Sequence, residues 1–217
     1  PTLEAVIETA RAAHEELDLV DSGALDLRQL ELRHQLAREA LTSAALELSA
    51  LRREAATRLA SEVDAVLPEL GMPDGRLDVV LRQRPDIGAV GAEDVELRVA
   101  LNRGHESRPL ARVASGGELS RVMLALKTIL ARLDHVPTLV FDEVDAGIGG
   151  IIGLQVGDTM RRVARHHQVL AITHLPQIAA RAHHHIVVEK GARAGITTAD
   201  TRVVEGEQRV TEVARML

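Results

Sequence analysis

An α/β fold preceded by a long helical arm is the class this sequence predicts, and three observations carry the prediction. First, residues 25–67 are rich in Leu, Ala, Glu and Arg and contain no Gly or Pro, with apolar residues recurring at helical steps. Second, a Pro- and Gly-rich stretch, Pro68 followed by Gly71-Met72-Pro73-Asp74-Gly75, ends that texture and opens a region of short alternating runs. Third, beyond Leu110 short apolar strands alternate with helical segments, the pattern of a mainly parallel sheet flanked by helices. Two domains follow: a helical arm over residues 1–67 and an α/β lobe over residues 68–217.

Within the arm, Leu27, Leu30, Ala37, Leu41, Ala44, Leu48, Leu51 and Ala55 form a heptad seam, broken at the place His34 occupies. After Ala55 the stripe moves to Leu59, Val63 and Val66, a stutter that locally unwinds a supercoil. An ordinary amphipathic helix lying on a globular core is the alternative. A shorter helix over Leu3–Leu19 precedes the seam, with Asp21-Ser22-Gly23 as the predicted turn between them.

In the lobe, Leu77–Arg82 and Val95–Leu101 alternate as half-buried strands do, and the Pro- and Gly-containing Arg84–Gly91 reads as a loop. Further strands are expected at Thr138–Phe141, Val169–Thr173, Ile186–Glu189 and Thr201–Glu205. Helices are expected after Leu110, near Gly153–Arg165, near Pro176–Ala182 and over Val210–Leu217. Leu139-Val140-Phe141 and Val169-Leu170-Ala171-Ile172 are apolar enough for a sheet buried on both faces.

Composition removes several function classes. No apolar run approaches the roughly 20 residues needed to span a bilayer, and no signal-peptide pattern is visible at the N-terminus. The absence of cysteine excludes disulfides and thiolate metal sites and fits a cytosolic protein. Phe141 is the one aromatic residue, so base-stacking platforms for single strands are missing. A formal charge of −6 offers no global attraction to phosphate backbones, so any DNA contact needs a local basic patch or parts outside this sequence. A start at Pro1 rather than Met suggests a piece of a longer protein.

The chemistry concentrates in three places. Ala114-Ser115-Gly116-Gly117-Glu118 places Ser115 and Glu118 at capping-box spacing, so Ser115 should cap an amphipathic helix. Gly116 and Gly117 strip side chains from its first turn, where unpaired N–H groups and the helix dipole favour a phosphate. A capped helix with two glycines is by itself only a capped helix, and the next motif supplies the context. Thr138-Leu139-Val140-Phe141-Asp142-Glu143 is an apolar strand ending in adjacent carboxylates, where open α/β sheets bind their ligands. Asp142 there can hold Mg²⁺ beside nucleotide phosphates, and Glu143 can serve a water as general base. Third, His174 follows the next apolar strand and can meet a γ-phosphate or the attacking water. The runs His166-His167 and His183-His184-His185 read as solvated surface histidines, and Arg161, Arg162 and Arg165 as a solvated basic face open to DNA or a partner.

These stretches resemble the RecN family of SMC-like ABC ATPases. Val113–Lys127 is similar to its signature segment, Phe141–Gly150 to its Walker B and following loop, and Ile172–Gln177 to its switch segment. The resemblance implies an ATP-hydrolysing protein of DNA double-strand-break repair and recombination, cytoplasmic and nucleoid-associated. Its heads form a homodimer with ATP sandwiched between them, act on DNA breaks or ends, and carry coiled-coil arms, of which residues 1–67 would be the descending segment. It further implies that Ser115, Gly116, Gly117 and Glu118 face ATP bound to the opposite subunit, and that Asp142 serves Mg²⁺. Glu143 would activate water, Asp145 would lie at the dimer seam, and His174 would sense the γ-phosphate. No Gly-x-x-x-x-Gly-Lys-Ser/Thr sequence occurs, so the phosphate cradle, which the family carries in an N-terminal Walker A lobe, is missing. A structural module that binds DNA or partners without turnover is the second expectation; the heptad arm speaks against a transporter subunit.

Overall fold

The computed structural model describes residues 2–131, 133, 135–193 and 196–217. In chain order the elements are α1 (Leu3–Val66), β1 (Arg76–Gly88), β2 (Gly91–Ala100), β3 (Arg108–Pro109), α2 (Gly116–Leu130) and β4 (Thr138–Phe141). They continue with α3 (Gly150–Val163), β5 (Gln168–Ala171), α4 (Pro176–Ala179), β6 (His185–Arg193), β7 (Ile196–Val204) and α5 (Gly206–Arg215). The long helix followed by an α/β lobe is the expected class. Parallel pairing lies between β4 and β5, in register from Thr138 with Gln168 to Phe141 with Ala171. β1, β2 and β3 make a second sheet in that order, with β2 and β3 antiparallel, and β6 and β7 form an antiparallel hairpin.

The turn expected at Asp21-Ser22-Gly23 is not made: the backbone is helical from Leu3 to Val66. One glycine costs a helix interior about 1 kcal/mol relative to alanine, and neither Asp nor Ser removes a backbone donor as Pro would. Propagation through good helix formers on both sides outweighs that cost. The helix stops where Pro68 enters a short 3₁₀ turn, Leu67–Leu70, capped by Gly71 in the left-handed region at φ 79°.

Two compact units divide the chain, residues 1–53 with 82–94, and residues 54–81 with 95–217. In the first unit the face packed within this chain takes in Leu48 of the heptad seam and otherwise lies beside the seam. Leu27, Leu30, Leu41 and Leu51 are exposed, whereas Ala45 and Ser49 are buried and Leu48 and Arg52 half-buried. The hairpin formed by β1 and β2 selects that face. Gly91, at φ 99°, comes so close that a Cβ would sit 2.9 Å from Leu48 Cδ2 and from Arg52 Nη1. Arg52 donates to the Val90 carbonyl at 2.7 Å and pairs with Glu93 at 3.5 Å. The segment expected to be a loop, Arg84–Gly91, is therefore mostly strand, turning only at Ala89 and Val90. Pro85 is tolerated because β1 is an edge strand, with a side that needs no donor.

In the second unit the stripe expected after Ala55 does turn inward. Val63 and Leu67 are fully buried, with Leu59 and Val66 packed beside them. They share one core with Leu70, Leu77, Val122, Leu126, Phe141, Val156 and Met160. Asp64 ties the helix end to β1 by accepting from the Leu77 N–H at 2.7 Å. The sheet formed by β4 and β5 differs from expectation. Leu139 and Phe141 point into the core, but Val140 is 64% exposed and Leu170 and Ile172 are also open. One face of this pair is covered and the other is not.

These placements separate two leucine substitutions. Leu67→Ala should cost about 2–5 kcal/mol through the cavity it leaves, lowering the urea midpoint followed by circular dichroism. Leu41→Ala, on the exposed seam, should stay within about 0.5 kcal/mol in this chain.

Candidate functional site

The N-terminus of α2, the turn after β4 and the loop after β5 converge at the carboxyl ends of the two parallel strands, where such sheets present their ligand-binding loops. Ser115 caps α2 as expected, its hydroxyl accepting from the Glu118 N–H at 3.4 Å. Gly116 and Gly117 form the first turn. Their lack of side chains has a use beyond exposing N–H groups. A Cβ on Gly117 would lie 2.8 Å from the Ala146 methyl and 2.9 Å from the Glu143 carbonyl oxygen. On Gly116 it would collide with Glu143 Oε2. The acidic turn thus rests directly on the glycine turn of α2.

Asp142 and Glu143 are both exposed at the end of β4. Asp142 Oδ1 accepts from the Glu143 N–H at 2.8 Å, and the Ser120 hydroxyl donates to the Asp142 carbonyl at 2.8 Å. A hard carboxylate oxygen held at a strand end, with its second oxygen still available, suits Mg²⁺, which takes one or two carboxylates and completes its shell with phosphate and water. Glu143 adopts φ 56°, the one described non-glycine residue in the left-handed region. Such a conformation costs on the order of 1–3 kcal/mol and persists where the surroundings over-determine it. Here Ala146 N–H bonds to its carbonyl at 3.0 Å, and Gly117 abuts the same atom.

Asp145 behaves differently from its neighbours, being only 4% exposed. Its Oδ2 accepts from the Thr173 hydroxyl at 2.5 Å and from the His174 N–H at 2.8 Å. The same oxygen lies 3.1 Å from His174 Nδ1. Among the described residues, therefore, Asp145 is engaged within its own chain. Ser115, Gly116, Gly117, Glu118, Asp142, Glu143, Asp145 and His174 are all brought to this one end of the lobe.

Three participants went unassigned in the sequence reading. Arg121 is 5% exposed and donates to the Val144 carbonyl at 3.3 Å and the Ala146 carbonyl at 2.8 Å. Burial lowers its affinity for the proton from the ordinary arginine value, and the nearby Glu118 carboxylate acts in the opposite sense. The signal was present: an arginine on the same helical face as Gly117, Leu124 and Ala125, all buried. Ser120 and Thr173, which hold the acidic turn and the loop after β5, carried no comparable signal. The histidine runs also divide. His183 and His184 are exposed, but His167 is buried, with Nδ1 2.7 Å from the Val136 carbonyl, which corrects the solvated reading for that residue. Arg161 and Arg165 are exposed, while Arg162 pairs with Glu69 at 2.7 Å.

Known proteins resemble this chain over its full length. It is 44% identical over 217 residues, all of the chain and 38% of the relative, to "DNA repair protein RecN" of Deinococcus radiodurans. It is 40% identical over 222 residues, again the whole chain and 39% of the relative, to the protein of the same name from Treponema pallidum. The chain thus spans well under half the length of the relatives it matches. Among solved structures, the Smc head domain with a coiled coil and joint from Pyrococcus yayanosii superposes with a TM-score of 0.56 at 19% identity, covering 93% of this chain and 38% of that one. That likeness shows the fold. No family model matches the chain.

The two glycines should respond differently to substitution. Gly117→Ala presses on backbone and a methyl group that cannot swing away, and should lower stability by about 1–3 kcal/mol despite alanine's better helix propensity. Gly116→Ala displaces only the flexible end of Glu143 and should cost less than about 1 kcal/mol. Parallel urea titrations of both variants read the difference.

Proposed function

The chain belongs to the RecN family of DNA repair proteins, and on that premise we propose that it forms the signature and Walker B half of an ATP site whose turnover drives two heads together and onto DNA. One observation carries this reading. The glycine turn Ser115–Gly117, the carboxylates of Asp142 and Glu143, and His174 share one end of the lobe, braced by Arg121 and Asp145.

In this reading the exposed Glu143 carboxylate takes a proton from a water as it attacks the terminal phosphate. Asp142 holds Mg²⁺, which would neutralise charge on the phosphates. The open N–H groups of the Ser115–Gly117 turn favour a γ-phosphate presented by a second head, since the helix dipole adds attraction for an anion. His174 faces that same phosphate. The phosphate cradle must come from elsewhere, since the chain contains no Gly-x-x-x-x-Gly-Lys-Ser/Thr sequence. The uncovered apolar face at Val140, Leu170 and Ile172 supports the same division, because a further lobe packed there would bury it. The 217 residues alone therefore act as a structural and binding half, and turnover belongs to the complete protein.

Replacement of Glu143 by Gln tests the assignment. In the complete protein Glu143→Gln should lower kcat for ATP by roughly 10²–10⁴-fold while leaving nucleotide binding intact, and the 217-residue chain assayed alone should show no turnover. Unchanged turnover in the variant would remove Glu143 as the base, whereas absence of turnover in the complete wild-type protein would favour a purely structural role.

A further inference from the structure

We propose that Asp145 is a positioning residue for His174: its buried carboxylate holds the imidazole in the Nδ1–H tautomer, so that Nε2 is the nitrogen presented to the nucleotide. The functional half of this proposal rests on the ATPase reading above; the tautomer itself does not.

The geometry is that of a carboxylate serving several donors. A single oxygen, Oδ2, accepts from the Thr173 hydroxyl at 2.5 Å and the His174 N–H at 2.8 Å, and the His174 ring nitrogen Nδ1 lies 3.1 Å from it. A carboxylate oxygen offers only acceptor sites, so the ring nitrogen facing it must carry the hydrogen. The Thr173 hydroxyl, having donated to Asp145, accepts from the Leu175 N–H at 3.0 Å, which closes the loop after β5 around the same carboxylate. The main-chain and hydroxyl bonds set the path of the loop, and the 3.1 Å contact of Nδ1 with the carboxylate is what favours one tautomer.

Asp145 is itself held. It lies in the turn whose Val144 and Ala146 carbonyls Arg121 grips, and its own carbonyl accepts from Ile148 N–H at 3.3 Å. The His174 side chain, by contrast, is 74% exposed. A rigid acceptor thus acts on a ring that water would otherwise reorient. Histidine free in water prefers the opposite, Nε2–H, tautomer, so the clamp has a detectable consequence. With Nδ1 occupied, Nε2 of a neutral ring accepts a hydrogen bond from water, and Nε2 of a charged ring donates one to a phosphate oxygen.

Long-range ¹H–¹⁵N correlation of the ¹⁵N-histidine-labelled 217-residue chain, without nucleotide and at a pH where the imidazoles are neutral, reads the tautomer. In the wild type the His174 Nδ1 should show the shift of a hydrogen-bearing nitrogen and Nε2 that of a bare one. Asp145→Ala should reverse the assignment, and Thr173→Val, which spares the ring contact, should not. A wild-type ring in the Nε2–H form overturns the clamp even where Asp145→Ala fails to fold, as does an Asp145→Ala ring that keeps the Nδ1–H form. In the complete protein, Asp145→Ala should reduce kcat for ATP by roughly 10–100-fold, the range typical of losing an outer-shell partner that orients a functional histidine, with KM little changed. If Glu143→Gln abolishes turnover and Asp145→Ala leaves it intact, the positioning role fails and the ATPase reading stands. If the tautomer is as stated but the complete wild-type protein turns over no ATP, the ATPase reading fails and the clamp stands.

Discussion

Arg121 carries a positive charge into the interior of the lobe, where isolated charges are strongly disfavoured. It stays because two main-chain carbonyls, those of Val144 and Ala146, accept its hydrogen bonds and gain a charged donor in return. Those carbonyls belong to a turn closed by the Ala146 N–H to Glu143 carbonyl and Ile148 N–H to Asp145 carbonyl bonds, containing a glutamate in the left-handed region. Without the guanidinium, the Val144 and Ala146 carbonyls would lose that donor, and the Ser120 hydroxyl on the Asp142 carbonyl would remain as the side-chain tie described between α2 and the turn. Its closeness to α2 is in turn what demands glycine at position 117. The arginine, the strained glutamate and the glycine are one constraint seen from three residues.

From that constraint the rest of the site follows in sequence. Once the turn is seated, Asp145 is directed inward and becomes the acceptor for the loop after β5, so the placement of His174 depends on a turn about 30 residues earlier in the chain. Asp142 and Glu143 are left outward, at the strand end, with only one of Asp142's carboxylate oxygens engaged by the adjacent N–H. Two exposed carboxylates and a buried one stand within four residues, and the division of labour proposed for them is this division of environment.

Much of the site was legible because its residues are contiguous and their chemistry is local. Ser115 caps α2 through a bond spanning three residues, and the strand Thr138–Phe141 has the bounds its composition suggested. Those features need no distant partner. The heptad seam does lie along one long helix, but which face packs within this chain was not legible from it. Its spacing describes which face of a helix could be covered, and the face that is covered, Ala45 to Arg52, is chosen by the hairpin near Gly91, some 40 residues later. Pro85 and Gly88 suggested a loop because their propensities favour one, yet an edge strand has no need of the donor that proline lacks. The two-faced burial expected for β4 and β5 likewise assumed a layer that these residues do not supply.

The sequence by itself determined the class of fold, the elements of the α/β lobe around the site, the family and the list of groups able to do chemistry. Each of these is written in local patterning: period, caps, breakers and the types of residue at a strand end. Tertiary structure alone decided which of those groups face outward and which are fastened. The burial of Arg121, the two donors on Asp145 and the contact between Gly117 and Ala146 each join segments about 20–30 residues apart. A one-dimensional pattern states what a residue can offer, whereas its partner is set by the path of the chain between them, and that path is settled by packing.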